Sequence, residues 1–338
     1  MNIEKVLFLV SSIYQKIKQL FWSKSNFDIH EILVVKWDEI GDMAAALHVF
    51  ELIKGSFPKS KITLICKEYV LPIVANNPFI DSIYTQPKSA FIKKYDTIID
   101  LRSNFSILRK CIDNNPKMYL GRGIIRFKNR KKQKHETATN YEIIAPILTK
   151  AKPPVSPKIY ITGQQIQEVD AFLKSNNIQK YAVLHTLARA KLRQWSIKNY
   201  ITIAHYLYQK YQLSIILACS PEETKSLSPH LINMPINTTI FNGAQGLLSF
   251  AALCKQASIF IGNESGPLQI ASTFYELPKI GLFGPGVKDV FYPIGGKVIH
   301  HVLDCNPCNQ INCVRPDNPC IDLITIAEVQ DAIDDLLR

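Results

Sequence analysis

The residues best suited to chemistry stand where apolar runs give way to short polar turns. Phe260-Ile261-Gly262-Asn263-Glu264-Ser265-Gly266-Pro267 is the most informative of these. The run Ala257 to Ile261 reads as a buried strand and Leu268 to Phe274 as a helix, so Ser265 and Gly266 fall at a helix N-terminus. Free N–H groups and the helix dipole there suit an anion, most simply a phosphate. A second apolar run, Lys279 to Phe283, follows at once and ends in Gly284-Pro285-Gly286. Two neighbouring strand ends then offer small residues to one ligand, as parallel α/β sheets do for nucleotides. An ordinary strand-to-helix turn is the competing reading.

Two further turns carry charge. Lys36-Trp37-Asp38-Glu39-Ile40-Gly41-Asp42 follows a strand. A carboxylate at Asp42 gains from the start of the next helix and faces a site at the strand's C-terminal end, or it is simply an N-cap. The segment His185 to Trp195 leaves a strand with a hydroxyl at Thr186 and with Arg189, Lys191 and Arg193 ahead of Trp195. Such cations suit a phosphate-bearing ligand, or they form a solvated basic loop. Cys305, Cys308, Cys313 and Cys320 form C-x2-C-x4-C-x6-C in a Pro/Asn-rich loop, 305–320. Clustered thiols in a reducing compartment point to a structural zinc, with free thiols or disulfides as alternatives. Cys66, Cys111, Cys219 and Cys254 sit in or beside apolar elements and read as core residues.

The elements that must position these residues follow from periodicity. Strands are expected at Glu31–Trp37, Lys61–Cys66, Ser82–Thr85, Thr97–Asp100, Tyr181–His185 and Ser214–Ala218. Helices are expected at Met43–Lys54, Val70–Asn76, Gln164–Asn176, Ile197–Lys210, Leu247–Gln256 and Ala327–Leu337. This alternation means βαβ units and parallel sheets. Residues 117–135 break it with Lys117, Arg122, Arg126, Lys128, Arg130, Lys131, Lys132 and Lys134, and 151–157 reads as a Pro-rich linker. Ahead of the first strand, Ile3, Val6, Leu7, Val10, Ile13, Tyr14, Ile17, Leu20 and Phe21 recur at helical spacing among Lys16, Lys18 and Lys24. That amphipathic helix either lies on a membrane surface or packs on the domain. It lacks the small-residue cleavage site of a signal peptide.

In order and spacing, the segments around Asp42, His185–Trp195 and the octapeptide resemble the ADP-heptose:lipopolysaccharide heptosyltransferases, glycosyltransferase family 9. The resemblance runs over roughly residues 31–337, most strongly at 32–58, 181–200 and 247–285. It implies an α/β fold of GT-B architecture, two Rossmann-like parallel-sheet domains facing a cleft. The expected division is a helical extension at 1–30, an acceptor-binding domain at 31–155 and a nucleotide-sugar-binding domain at 156–338. It also implies that Asp42 is the catalytic base, with Asp38 as a rival, and that Arg193 and Lys191 stabilise the leaving diphosphate. Thr186, Glu222, Glu264, Ser265, Gly266, Gln269 and Gly284 are the expected donor contacts, Glu222 (or Glu223) toward ribose hydroxyls. Asp38, Arg122, Arg126 and Lys128 are the expected acceptor contacts. The chain departs from the family at Arg193, where a Lys is usual, at Glu264, where Asp is common, and at Gln269, where His is common. Those exchanges leave open a different nucleotide-sugar donor, or a weakened paralogue that binds core oligosaccharide without turnover.

Length and charge agree with that picture. The 338 residues suit two domains with full cores, and 40 Lys+Arg against 28 Asp+Glu leave a net charge of +12. An anionic partner follows, be it nucleic acid, an anionic membrane or a phosphorylated substrate; the resemblance implies a nucleotide sugar, an anionic lipid-anchored core oligosaccharide and the inner-membrane surface. Nucleic acid is not expected, because the basic segment interleaves only Tyr119 and Phe127. No apolar run is long enough to span a bilayer. The resemblance implies a cytoplasmic enzyme peripheral to the inner membrane, with no cofactor needed for catalysis beyond a possible structural zinc.

Overall fold

The structure, a computed structural model, describes residues 3–20, 29–129, 133–149, 156–244, 246–308, 312–317 and 319–338. The described chain forms two compact units, Met1–Tyr160 and Ile161–Arg338.

The first unit is a parallel five-stranded sheet flanked by helices. Its strands are β1 (Glu31–Lys36), β2 (Lys61–Cys66), β3 (Ser82–Tyr84), β4 (Thr97–Arg102) and β5 (Met118–Gly121), in the order β3-β2-β1-β4-β5. The helices are α1 (Ile3–Leu20), α2 (Ile40–Ala44), α3 (His48–Ser56), α4 (Leu71–Val74), α5 (Pro87–Ala90), α6 (Phe105–Asn114), α7 (Arg122–Asn129) and α8 (Glu136–Ile144). The central strands are apolar along their length because both faces are covered, and Ile32 to Val35 have no exposed surface. Asn104 caps α6 by accepting from the Ile107 N–H at 2.9 Å, and Asn115 ends it in the left-handed conformation.

Three expectations are corrected here. The single helix expected over Met43–Lys54 is two, α2 and α3, interrupted at 45–47. The basic stretch after Lys117 is not an irregular break but the strand β5 and the helix α7. The N-terminal helix is not a separate extension, because α1 packs on β5 and α7 within the first unit. Strand β5 ends the sheet, and an uncovered edge would leave its N–H groups unpaired. Gln15 of α1 accepts the Gly121 N–H at 2.9 Å, Ser11 Oγ lies 2.9 Å from the Tyr119 hydroxyl, and Lys18 donates to Asn115 Oδ1 at 2.6 Å. The approach is close enough that a Cβ on Gly123 would fall 2.3 Å from the Phe8 carbonyl oxygen.

The second unit is a parallel six-stranded sheet. Its strands are β6 (Tyr181–His185), β7 (Ser214–Ala218), β8 (Thr238–Phe241), β9 (Ile259–Asn263), β10 (Lys279–Phe283) and β11 (Lys297–His300). The order is β11-β10-β9-β6-β7-β8, the doubly wound arrangement. Around it lie α9 (Gly163–Ser175), α10 (Ile197–Tyr211), α11 (Thr224–Leu227), α12 (Leu247–Gln256), α13 (Gly266–Ala271), α14 (Lys288–Phe291) and α15 (Ile326–Leu337). Thr162 with Gln165 and Thr325 with Glu328 form capping boxes that start α9 and α15. Trp195 and Tyr200, stacked edge to face, join Leu184, Leu217, Ile261 and Ile333 in the core beneath.

Candidate active site

Each sheet reverses its strand order once, and ligands of such sheets bind beyond the carboxyl ends of the strands at that point. In the first unit the reversal lies between β1 and β4, and in the second between β6 and β9. The candidate residues gather at these two places.

In the first unit, β1 ends at Lys36, whose side chain has no exposed surface. Its ammonium donates to Asp38 Oδ2 and to Glu136 Oε1, both at 3.3 Å. Glu136, the first residue of α8, also takes a two-pronged contact from Arg122, at 2.6 and 2.8 Å. Burial alone would raise the Glu136 carboxyl, but Arg122 and then Lys36 outweigh it and hold it at about 2. Asp38 is tied further, since its Oδ1 accepts the Glu39 N–H at 3.1 Å.

Asp42 differs from these partners. It lies in the first turn of α2, whose N-cap is Glu39, so the capping role is not its own. Among the described residues its carboxylate has no hydrogen-bond or ion-pair partner. Burial pushes it up to about 6, Lys36 and Arg122 pull the other way, and Asp38 and Glu136 add to the rise. A carboxylate that is unbonded and weakly acidic can accept a proton near neutral pH. Elsewhere in this unit, Asp100 Oδ1 and Arg122 Nε have no partner among the described residues, and both residues line one small cavity with Phe8, Ser11, Arg102 and Ser103.

Arg122 is therefore not part of an open basic surface. Glu136 turns it inward, and only 5% of it is exposed. Arg126 and Lys128 fall in α7, but their side chains lie outside the described residues, as do Arg130, Lys131 and Lys132.

In the second unit, Asn263 closes β9 with no exposed surface. It accepts from the Trp195 N–H at 3.0 Å and the Tyr200 hydroxyl at 3.1 Å, and donates to the Thr186 carbonyl at 2.8 Å. One amide thus fixes the turns after β6 and β9 against each other. Around it, Thr186 Oγ1 and Ser265 Oγ are buried with no partner among the described residues, and Ser265 stands at the N-cap of α13 without capping it. A nearby buried ring, His185, is held neutral by burial, which lowers it to about 4.

Glu264 folds back over β10's carboxyl end. Its Oε1 accepts the Gly286 N–H at 3.1 Å and lies 3.1 Å from Arg193 Nε. Burial raises its carboxyl to about 7 against the pull of Arg193. Gly286 is needed for this fold-back, because a Cβ there would lie 1.8 Å from Glu264 Oε2. Gly284 is crowded too, since a Cβ there would lie 3.0 Å from Ile321 and 3.1 Å from the Leu192 carbonyl. Lys191 is exposed in the short turn that carries Arg193. Glu222 is exposed after β7, while Glu223 bends back to accept the Ser220 N–H at 2.9 Å. Gln269 is buried and donates to the Phe291 carbonyl at 2.6 Å, so its amide braces α14.

Residues 91–317 match the sequence model of Glycosyltransferase family 9 (heptosyltransferase). The chain belongs to this family. Lipopolysaccharide heptosyltransferase 3 of Escherichia coli K12 is 23% identical, over 72% of this chain and 79% of that protein. The glycosyl transferase family 9 structure from Veillonella parvula superposes with a TM-score of 0.76 at 16% identity, covering 92% of this chain and 98% of that one. E. coli ADP-heptose lps heptosyltransferase II gives a TM-score of 0.72 at 15% identity, over 91% and 98%. The fold is thus that of the GT-B heptosyltransferases, and the chain is a glycosyltransferase.

Within this family 9 chain, the site residues that sequence reasoning missed are Lys36, Glu136 and Asn263. Lys36 and Asn263 carried one signal, a polar residue closing an otherwise apolar strand. Nothing local marked Glu136, which lies 100 residues from Lys36. The four loop cysteines are free thiols, with Cys320 buried and the other three half-exposed. Burial raises the Cys320 thiol, and Cys313, Cys308 and Cys305 are near enough to add to the rise. Among the described residues, however, no group of three or more His, Cys, Asp or Glu is arranged to hold a metal ion. As they stand, these thiols do not form a closed metal cage.

The Lys36–Glu136–Arg122 cluster yields a measurable expectation. Glu136→Gln leaves two buried cations short of a partner and should cost about 3–5 kcal/mol at pH 7. The folded carboxyl lies at about 2, below its ordinary 4.5, so its stabilisation is complete above that value and is lost as pH falls toward 2. Urea unfolding of parent and variant should therefore differ at pH 7 and converge near the folded value. A constant difference at all pH values would mean that charge is not what Glu136 supplies.

Proposed function

We propose that the chain transfers heptose, with inversion, from ADP-heptose to the lipopolysaccharide inner core at the cytoplasmic face of the inner membrane. The carrying observation is Asp42: a carboxylate with no bonding partner among the described residues, raised to about 6, in the first turn of the helix that follows β1. Family membership and the names of the relatives support the donor and the acceptor class.

In the proposed reaction an acceptor hydroxyl attacks the anomeric carbon as its proton passes to Asp42. The bond from that carbon to the diphosphate oxygen breaks, and ADP leaves with the electron pair. Asp38 is the weaker candidate for base, because Lys36 and the Glu39 N–H already occupy its oxygens. The unpartnered hydroxyls of Thr186 and Ser265 suit the diphosphate, and Arg193 with Lys191 supplies positive charge as it departs. Glu264 neutralises Arg193 until then, so the donor must compete with a carboxylate for that guanidinium. Glu222 is the proposed ribose contact, being exposed where Glu223 is engaged. The lysines and arginines of the basic segment are proposed to meet acceptor phosphates, with Arg126 and Lys128 as the candidates once Arg122 is paired. No step passes through a metal. Zinc at Cys305, Cys308, Cys313 and Cys320 is proposed only as a structural clip, which stoichiometric zinc in chelator-free protein would support and metal-free active protein would sink.

The direct test is product mass after incubation with ADP-heptose and a truncated core acceptor. A mass gain of one heptose is expected. A gain only with another nucleotide sugar would reassign the donor, and no gain with any would leave a binding paralogue. Asp42→Asn should keep donor affinity while kcat falls by on the order of 10²–10⁴. The parent's kcat/KM should rise through about pH 6 as Asp42 loses its proton, and the variant should lack that limb. Turnover within a few-fold of the parent would move the base elsewhere.

Arg193→Ala should lower kcat/KM more than Lys191→Ala, since Glu264 holds Arg193 in place while the exposed Lys191 has no side-chain partner among the described residues. Small, equal losses in steady-state assays would instead mark the turn as a solvated loop.

A further inference from the structure

Helix α1 is apolar on both of its sides, with Val10 and Tyr14 also packed inward. Its inner face, against β5 and α7, carries Ser11, Ser12 and Gln15, all buried, beside Leu7 and Phe8. These polar groups are satisfied: Ser12 donates to the Phe8 carbonyl, Ser11 meets the Tyr119 hydroxyl, and Gln15 accepts the Gly121 N–H. Its outer face carries Leu9, Ile13, Ile17 and Leu20, which are 47%, 51%, 47% and 81% exposed. Their spacing of four, four and three residues lines them along one side of the helix. A helix on a water-facing surface turns its polar residues outward. Single exposed aliphatics are common, but a continuous stripe of four marks an interaction surface.

The same face carries cations. Lys5 and Lys16 are exposed among the aliphatics, and Glu4 is the lone acid of α1 against Lys5, Lys16 and Lys18. No helix among the described residues is long and apolar enough to cross a membrane. An apolar stripe edged by lysines, on a helix anchored by its other side, fits the interfacial plane of a bilayer with negative headgroups. We infer that the outer face of α1 is a docking surface for an anionic phospholipid bilayer. A second copy of the chain suits it less well, because two such faces would bring their lysines together. The inference extends the proposed function, holding the enzyme where a lipid-anchored acceptor lies.

Removing α1 would not test this, because its inner face covers β5. The double variant Ile13→Gln, Ile17→Gln changes only the outer stripe. Sedimentation of the full chain with phosphatidylglycerol–phosphatidylcholine vesicles reads binding without any sugar chemistry, so it stands or falls apart from the heptosyltransferase reading. The parent should bind these vesicles, weakly in high salt and hardly to phosphatidylcholine alone. The variant should lose binding by about tenfold or more while its unfolding midpoint is unchanged. Leu20→Gln, at the most exposed position, should weaken binding in the same direction if the double variant folds poorly. Equal binding by parent and variants, or no binding by the parent, would overturn the inference. So would analytical ultracentrifugation showing a parent dimer that the variant converts to monomer, since a second copy would then cover the stripe.

Discussion

Lys36 ends β1 with its whole side chain out of water, and an uncompensated ammonium there would cost several kcal/mol. Much of the first unit is arranged around that constraint. The counter-charge comes from Glu136, which brings the start of α8 to the carboxyl edge of the sheet. Glu136 has a second carboxylate oxygen to satisfy, and Arg122 fills it from the start of α7. Asp38 takes the remaining reach of Lys36. The charges thus close on one another, and Asp42 is left inside their field without a hydrogen bond to any described residue. Its proton affinity is then set by burial and by fixed neighbours rather than by solvent.

The second unit solves the corresponding problem with a neutral group. Asn263 offers a donor and an acceptor from one rigid amide, and it binds two turns and a tyrosine at once. A charge there would disturb a nearby anion, whereas an amide fixes geometry and leaves the field to Arg193 and Glu264. What Asn263 leaves unsatisfied, the hydroxyls of Thr186 and Ser265, is what a polar ligand could use.

Much of this was legible from the chain alone. Continuous apolar runs such as Leu33–Val35 and Tyr181–Leu184 announce strands covered on both faces, and the turns after them locate the site. Lys61–Cys66, Tyr181–His185, Ser214–Ala218, Leu247–Gln256 and Lys279–Phe283 fall where periodicity puts them. Helix α7 was hidden because its charges look like loop, strand β5 because it is only four residues long, and the pairing that buries Arg122 depends on a residue 14 positions away. Glu136 was out of reach for the same reason at longer range. The fold-back of Glu264 depends on Gly286 across two strand ends, which only the register of β9 on β10 reveals. Gln269 sits in the expected motif, yet its amide serves Phe291, because side-chain direction on α13 is not written in a motif.

The stitching of α1 to β5 has a consequence for how the chain is made. Ser11 and Tyr119 meet across 108 residues of sequence. At about 5–20 residues per second, translation separates the two partners by on the order of 5–20 s. Through that interval α1 has left the ribosome with neither of its faces matched, its serines and Gln15 without β5 and its aliphatic stripe open to whatever lies nearby. The first strands can form before the helix that finishes their sheet has anything to close against. The nascent chain therefore carries an unmatched helix ahead of the sheet it will join, and the first unit is sealed only when β5 emerges.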